Sequence, residues 1–226
     1  MTIALEMEGV TRRFGNRTAL EDVTLRVPAG RSVRLTGANG AGKTTLLAVA
    51  AGVLAADSGT VSVFGRRPGN SDDTARLIGY MADAPLVYEA LSARENLMFY
   101  GRLYGLHAPD GRIGELLDLV GLADRAGDPV TAYSAGMQRR LDLARAVLHE
   151  PRLLLMDEPA NSLDADGIDI LTGLLATYRA GDRAVLFTSH SVQAGDDWAD
   201  ETLVIERGRL QTPAQAEPRG NEETRH

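Results

Sequence analysis

The sequence predicts an α/β protein built on a parallel sheet, and three observations carry that prediction. Strand-like and helix-like segments alternate along most of the chain, which is the pattern of strands joined by helical crossovers. One of these units is a strand at 31–36, a glycine-rich turn at 37–44 and an apolar, alanine-rich helix from Thr45 to Ala56. A second is Arg152-Leu153-Leu154-Leu155-Met156-Asp157-Glu158-Pro159, four continuous apolar residues ending in two carboxylates, and such an apolar strand is the kind buried on both faces in the middle of a parallel sheet.

Taken in order, residues 3–10 and 18–27 read as two β-segments around a turn at Arg12–Arg17. After the first helix, Ser58–Gly65 is a short strand closed by its glycine, and Leu77–Met81 is another that breaks at Ala82-Asp83-Ala84-Pro85. From about Tyr88 to Val147 the period turns helical. Ser92 and Glu95 form a capping-box pair at the start of the first helix, Ile113–Val120 is a second, and a third runs from Ala135 to His149. This is an all-helical insert of about sixty residues, within subdomain size. Ala165–Arg179 is helical, Ala184–Thr188 is a buried strand followed by Ser189-His190, and Glu201–Leu210 is a last strand and turn. Residues 211–226 are polar and hold almost nothing to bury, so they are expected to be a disordered tail, with one domain over 1–210.

Composition narrows the chemistry. The chain has 226 residues, 44% of them hydrophobic, and a net charge of −7. That charge describes a soluble globular protein and argues against nucleic acid as a partner. There is no cysteine, which excludes thiolate metal sites, disulfides and cysteine catalysis. The N-terminus lacks a basic region, so no signal peptide is expected. The longest apolar run, Leu46–Ala56, is shorter than the ~18–20 residues that span a bilayer.

The most specific stretch is Gly37-Ala38-Asn39-Gly40-Ala41-Gly42-Lys43-Thr44, which fits the phosphate-loop pattern G-x-x-x-x-G-K-[ST] without mismatch. Its glycines let backbone amides curl around phosphate oxygens, and the following helix adds its N-terminal partial charge. Lys43 is the only lysine; the other 23 of the 24 basic residues are arginine. A compact ammonium suits a point contact to β- and γ-phosphates better than a planar guanidinium. The chain is therefore expected to bind a nucleoside triphosphate. In a parallel sheet the ligand lies at the C-terminal strand edge, where Asp83, Asp157-Glu158 and His190 are also placed. Thr44 and Asp157 suit Mg²⁺, and Glu158 suits the group that orients an attacking water.

With these residues in place, the chain resembles the ATP-binding subunits of ABC transporters over residues 3–210. Tyr133-Ser134-Ala135-Gly136-Met137 and the helix after it are similar to the family's LSGGQ signature, with Tyr133, Ala135 and Met137 as departures. This variant resembles that of drug- and haem-exporter relatives. The resemblance implies a P-loop NTPase parallel-sheet core, an N-terminal β-subdomain and an all-helical signature subdomain at about 85–147. It implies that Ser134 and Gly136 hold the γ-phosphate of a nucleotide bound to a second subunit, in a homodimer or a heterodimer. By the same resemblance Phe14 stacks on adenine, with core packing as its other reading. Thr45 contacts the α-phosphate, Asn161–Asp164 is the D-loop, and His190 is the switch histidine. Asp83 stands where the family has a glutamine that contacts Mg²⁺ or water; it is expected to keep that role and alter the rate.

The activity so implied is hydrolysis of ATP with Mg²⁺, which powers a separate membrane permease, of exporter type, from the cytoplasmic face. The segment from Pro85 to Leu106, with Tyr88, Phe99, Tyr100 and Tyr104, is where the family docks that partner. Two other readings are a non-transport ABC ATPase and a regulatory nucleotide sensor. About ninety residues separate Lys43 from Ser134, without the coiled-coil or zinc inserts of the former class. Intact Lys43, Asp157 and Glu158 weigh against the latter.

Overall fold

The computed structural model describes residues 2–69, 72–189 and 196–211. Two long strands open the chain, β1 (Ile3–Phe14) and β2 (Arg17–Pro28), each longer than its hydrophobic pattern predicts. They pair antiparallel, and β4 (Ser58–Val63) adds to the other side of β1. This three-stranded sheet is the predicted N-terminal β-subdomain.

The main sheet is built from β3 (Ser32–Thr36), β5 (Ile78–Met81), β6 (Leu153–Met156), β7 (Ala184–Thr188), β8 (Glu201–Glu206) and β9 (Arg209–Leu210). Their order is β5-β6-β7-β3-β8-β9. Every pair is parallel except β8 with β9. The apolar run at Leu153–Met156 is fully buried, and its side chains part by the two-residue period of a strand. Leu154 and Met156 pack with the helical half of the molecule; Leu153 and Leu155 pack with the N-terminal sheet and the first helix. Val185 and Phe187 of β7 join the first group, and Ala184 and Leu186 the second. The sheet therefore separates two cores, which is why its central strands read as unbroken apolar runs.

Six α-helices are described. They are α1 (Lys43–Ala50), a single turn α2 (Asp72–Ala75), α3 (Ala93–Leu103), α4 (Asp110–Leu119), α5 (Ala135–Val147) and α6 (Ala165–Arg179). Helix α1 ends at Ala50, six residues before the composition suggests. The Val53 and Gly52 amides close back on the Ala48 and Val49 carbonyls, which is a Schellman stop. The Ser92–Glu95 capping box at α3 forms in both directions, with the Ser92 amide donating to Glu95 Oε2 at 2.8 Å. Among the described residues no helix is long and apolar enough to cross a membrane. The Gln211 amide donates to the Val204 carbonyl at 2.8 Å, so backbone pairing reaches the first residue assigned to the tail. The rest of that tail, 212–226, lies outside the described residues.

Candidate functional site

Parallel pairing aligns the C-terminal ends of β5, β6, β7 and β3 along one edge of the sheet. Those four ends are followed by Asp83, by Asp157-Glu158, by Ser189, and by the Gly37–Thr44 loop. A cleft of about 520 Å³ opens over this edge, lined by Asn39, Gly40, Gly42, Lys43, Thr44 and Thr45, with Asp83, Asp157 and Glu158 across from them. Phe14, Arg17 and Ala19 form its outer wall.

The loop has the geometry its glycines imply. Gly42 is the N-cap of α1 at φ 116°, and a Cβ there would lie 2.6 Å from the Ala19 carbonyl oxygen. No side chain caps the helix and its first turn holds no acidic residue, so its amides are left to an anion. The Lys43 ammonium is buried and folds back on its own loop, donating to the Gly37 carbonyl at 2.7 Å and to Ala38 at 3.4 Å. Burying an ammonium beside two neutral carbonyls is costly unless an anion joins them.

On β6 the two carboxylates are held differently. Asp157 is 1% exposed, and its Oδ1 accepts from the Thr188 hydroxyl at 2.7 Å. Its Oδ2 is buried and has no hydrogen-bond partner among the described residues. The Glu158 amide donates to Thr188 Oγ1 at 2.8 Å, and Glu158 takes the left-handed backbone at φ 48°. Such a backbone is strained in a non-glycine residue and persists where its surroundings fix it. Thr188 thus positions both acidic residues. Burial raises the Tyr80 hydroxyl above its ordinary pKa, and the nearby Asp157 charge adds to the rise.

Of the two readings of Phe14, core packing does not hold. The residue is 46% exposed and lines the cleft, so it does not pack in a core. The Arg12 guanidinium covers its ring at 4.8 Å and is itself tied to Asp57 at 3.1 Å. Asp83 lies at the cleft with an exposed side chain. His190 lies outside the described residues. Ser134 and Gly136 are not part of this cleft: they sit at the start of α5, where Ser134 accepts from the Met137 amide at 3.3 Å. A Cβ on Gly136 would lie 3.0 Å from the Ser162 carbonyl oxygen, so the signature turn rests on the Asn161–Asp164 loop. Asp164 caps α6 through the Gly167 amide at 3.0 Å.

The aromatics of the helical insert divide. Tyr88 and Phe99 are exposed, edge to face with ring centroids 5.1 Å apart, and Leu86 and Leu103 are exposed beside them in sequence. Tyr100 is half-buried and donates to the Leu86 carbonyl, and Tyr104 stacks on His149 at 3.7 Å.

Three residues of the site carry no sequence motif of their own. Thr188 joins Asp157 to the Glu158 amide. Arg17 donates to the Gly40 carbonyl at 3.2 Å and lines the cleft, three residues after Phe14. Arg139, 1% exposed, donates to carbonyls on both acidic strand ends. Burial pulls its guanidinium below the ordinary value, while Asp142, Asp83 and Asp157 push the other way. The one signal available in the sequence is its place in the arginine-bearing helix after the signature.

Comparison with known proteins agrees with this geometry. The family described as ABC transporter matches residues 20–161. A Bacillus subtilis ABC transporter ATP-binding protein, YxlF, is 35% identical over 208 residues, covering 91% of this chain and 69% of that protein. The linearmycin resistance ATP-binding protein LnrL of the same organism is 32% identical, covering 91% and 67%. The daunorubicin resistance ATP-binding protein DrrA3 of Streptomyces coeruleorubidus is 36% identical, covering 92% and 66%. A solved ATP-binding subunit of an ABC transporter superposes with a TM-score of 0.86 at 29% identity, covering 92% of this chain and 88% of that one. A dimeric ATP-binding cassette bound to ADP and Pi shares the fold, with a TM-score of 0.83 at 22% identity. Phosphate loop, paired carboxylates and a signature turn held apart from the cleft thus occur on a shared fold, and the chain belongs to the ABC transporter family, as one of its ATP-binding subunits.

Proposed function

We propose that this chain hydrolyses ATP to power a separate membrane permease of exporter type, in a dimer that sandwiches nucleotide between one phosphate loop and the other subunit's signature. The observation that carries it is the cleft itself. A buried lysine, a hydroxyl at Thr44 and a carboxylate with one bare buried oxygen face the same space.

The residues fit Mg²⁺: Asp157 Oδ2 is an orphaned buried acceptor and Thr44 supplies a hard oxygen, while Asp83 adds a second carboxylate at the rim. Bound there, Mg²⁺ would neutralise charge that develops on the transferred phosphoryl group. The rest belongs to the chain. Loop amides and Lys43 bind the β- and γ-phosphates, the ammonium exchanging its carbonyl partners for phosphate oxygens. The Thr45 hydroxyl meets the α-phosphate, and Phe14 stacks under adenine. Glu158 orients and deprotonates the attacking water, and His190 contacts the γ-phosphate. Ser134 and Gly136, remote from their own cleft, complete the cleft of a second subunit.

Export is supported by the names of relatives that confer linearmycin and daunorubicin resistance. The exposed Leu86, Tyr88, Phe99 and Leu103 suit an apolar docking surface for the permease, which holds the chain at the cytoplasmic face of the membrane. Convergence of Lys43, Asp157 and Glu158 on one cleft favours hydrolysis over passive sensing. The test is Glu158→Gln: hydrolysis falls to a residual rate while ATP binding survives. Hydrolysis at the wild-type rate in that variant refutes the assignment, and a wild-type chain inert beside its permease refutes the function.

A further inference from the structure

We infer that Arg139 is a positioning residue that makes the signature helix and the acidic edge of the sheet move as one body. The inference rests on the function proposed above and extends it to how one subunit's signature reaches its own catalytic glutamate. Three residues spaced by one helical turn on α5 carry it: Arg139, Asp142 and Arg145.

Arg139 Nη1 donates to the Ala82 carbonyl at 2.6 Å and to Asp83 at 3.1 Å. Its Nη2 donates to the Asp157 carbonyl at 2.6 Å and to Glu158 at 2.8 Å. Each nitrogen of the fork therefore serves one strand end. The pairing of β5 with β6 ends at Met81 and Met156, so the guanidinium clamps the two chains just where the ladder between those strands stops. Farther along the same helix face, Asp142 Oδ1 accepts from the Leu86 amide at 3.1 Å and from Arg145 Nε at 2.7 Å. Arg145 Nη2 in turn donates to the Tyr80 carbonyl at 2.5 Å. The segment from Tyr80 to Leu86 is thus tied to α5 at both ends and in the middle.

The consequence for Glu158 follows from its backbone. Its left-handed φ of 48° sets where the carboxylate points; the Asn161 amide donates to its carbonyl at 3.0 Å, and two side chains hold the residue there as well. Thr188 takes its amide, and Arg139 takes its carbonyl together with that of Asp157. Ser134 caps the same helix five residues before Arg139. A shift of that first turn, as when a second subunit's nucleotide engages Ser134 and Gly136, is passed through the guanidinium to Asp83 and Glu158 together. A lysine cannot substitute, because three donors on one nitrogen do not span four carbonyls on two strands.

The experiment measures ATP affinity with a fluorescent ATP analogue, thermal unfolding, and kcat in the full chain with its permease. The variants are Arg139→Lys, Arg139→Gln and Glu158→Gln, with each Arg139 change also placed in the Glu158→Gln background. Arg139→Lys is expected to lower kcat at least about 30-fold with ATP affinity within about threefold. In the Glu158→Gln background it should lower the residual rate less than about twofold, because it acts through Glu158. A fall in kcat smaller than about 30-fold overturns the inference, as does a loss that multiplies in the double variant. So does a parallel fall of kcat, ATP affinity and thermal stability in both Arg139 variants, which would make the residue only a scaffold. Absence of hydrolysis in the wild type would instead sink the proposed function; hydrolysis that ignores Arg139 sinks this inference alone.

Discussion

Replacing Thr188 by valine removes one hydroxyl from the centre of the site and leaves the shape of the side chain almost unchanged. Thr188 is fully buried, donates to Asp157 Oδ1 at 2.7 Å and accepts from the Glu158 amide at 2.8 Å. In the valine variant both partners stay buried without a hydrogen bond, and each such group costs about 1–3 kcal/mol. Steric loss is small, so the expected destabilisation is about 3 kcal/mol, nearly all of it polar. In a chain of this size that lowers the melting temperature by about 6–12 °C. Thr188→Ser is the control, because it keeps both bonds and loses one methyl group worth about 1 kcal/mol. Urea unfolding of the three chains at pH 7 reads the difference, and kcat should fall further than ATP affinity in the valine variant because Glu158 loses its hold. A valine variant within about 0.5 kcal/mol of wild type, or a serine variant as damaged as the valine one, would refute the assignment of Thr188 as the joint support of both acidic residues.

Phe14→Ala should weaken ATP binding by about 5- to 100-fold, the range of base–aromatic stacking, while Phe14→Tyr stays close to wild type; inorganic tripolyphosphate, which has no base, should bind all three equally in equilibrium titrations. Asp83→Ala should lower kcat by about tenfold and raise the Mg²⁺ concentration needed for half-maximal rate; unchanged ATPase activity and transport would remove Asp83 from the site. His149 is neutral in the fold, its Nε2 hydrogen donated to the Ile78 carbonyl at 3.0 Å, because burial lowers its pKa from 6.5 to about 4. Between those values only the unfolded chain takes up the proton. The stability it contributes is therefore complete above pH 6.5 and is lost as pH falls towards 4, by roughly 3 kcal/mol in all. The stability difference between wild type and His149→Gln should shrink over that interval in denaturant titrations, and a difference independent of pH would contradict the neutral, buried imidazole.

Those residues differ in how far they could be read before the fold was known. Lys43, Thr44, Asp157 and Glu158 are legible because each sits at a fixed offset from a strand whose apolar run marks it, and a phosphate loop needs contiguous residues. Phe14 was ambiguous, since a single aromatic in a turn has the same local pattern whether it faces a core or a cleft. Its exposure of 46% decided for the cleft. The insert's aromatics were ambiguous for the same reason, and only packing separates exposed Tyr88 and Phe99 from Tyr104, stacked on His149. Helix α1 looked longer than it is because Ala51–Ala56 is apolar whether or not it is helical, and the Schellman bonds end it at Ala50.

By itself the sequence determined the alternation of strands and helices, the phosphate loop, the strand-end acids and the membership these imply. All of these are local, carried by periodicity or by residues adjacent in the chain. The tertiary structure decided what depends on residues distant in sequence. It placed β5, β6, β7 and β3 side by side so that four strand ends share one cleft. It turned Thr188 and Arg139 from unremarkable residues into supports of Asp157 and Glu158, across separations of 31 and 19 residues. And it set Ser134 and Gly136 outside that cleft, at the far end of a helix whose other contacts run straight back to it. A hydrogen bond between strand ends leaves no period in a sequence, because its partners are chosen by the order of strands in the sheet.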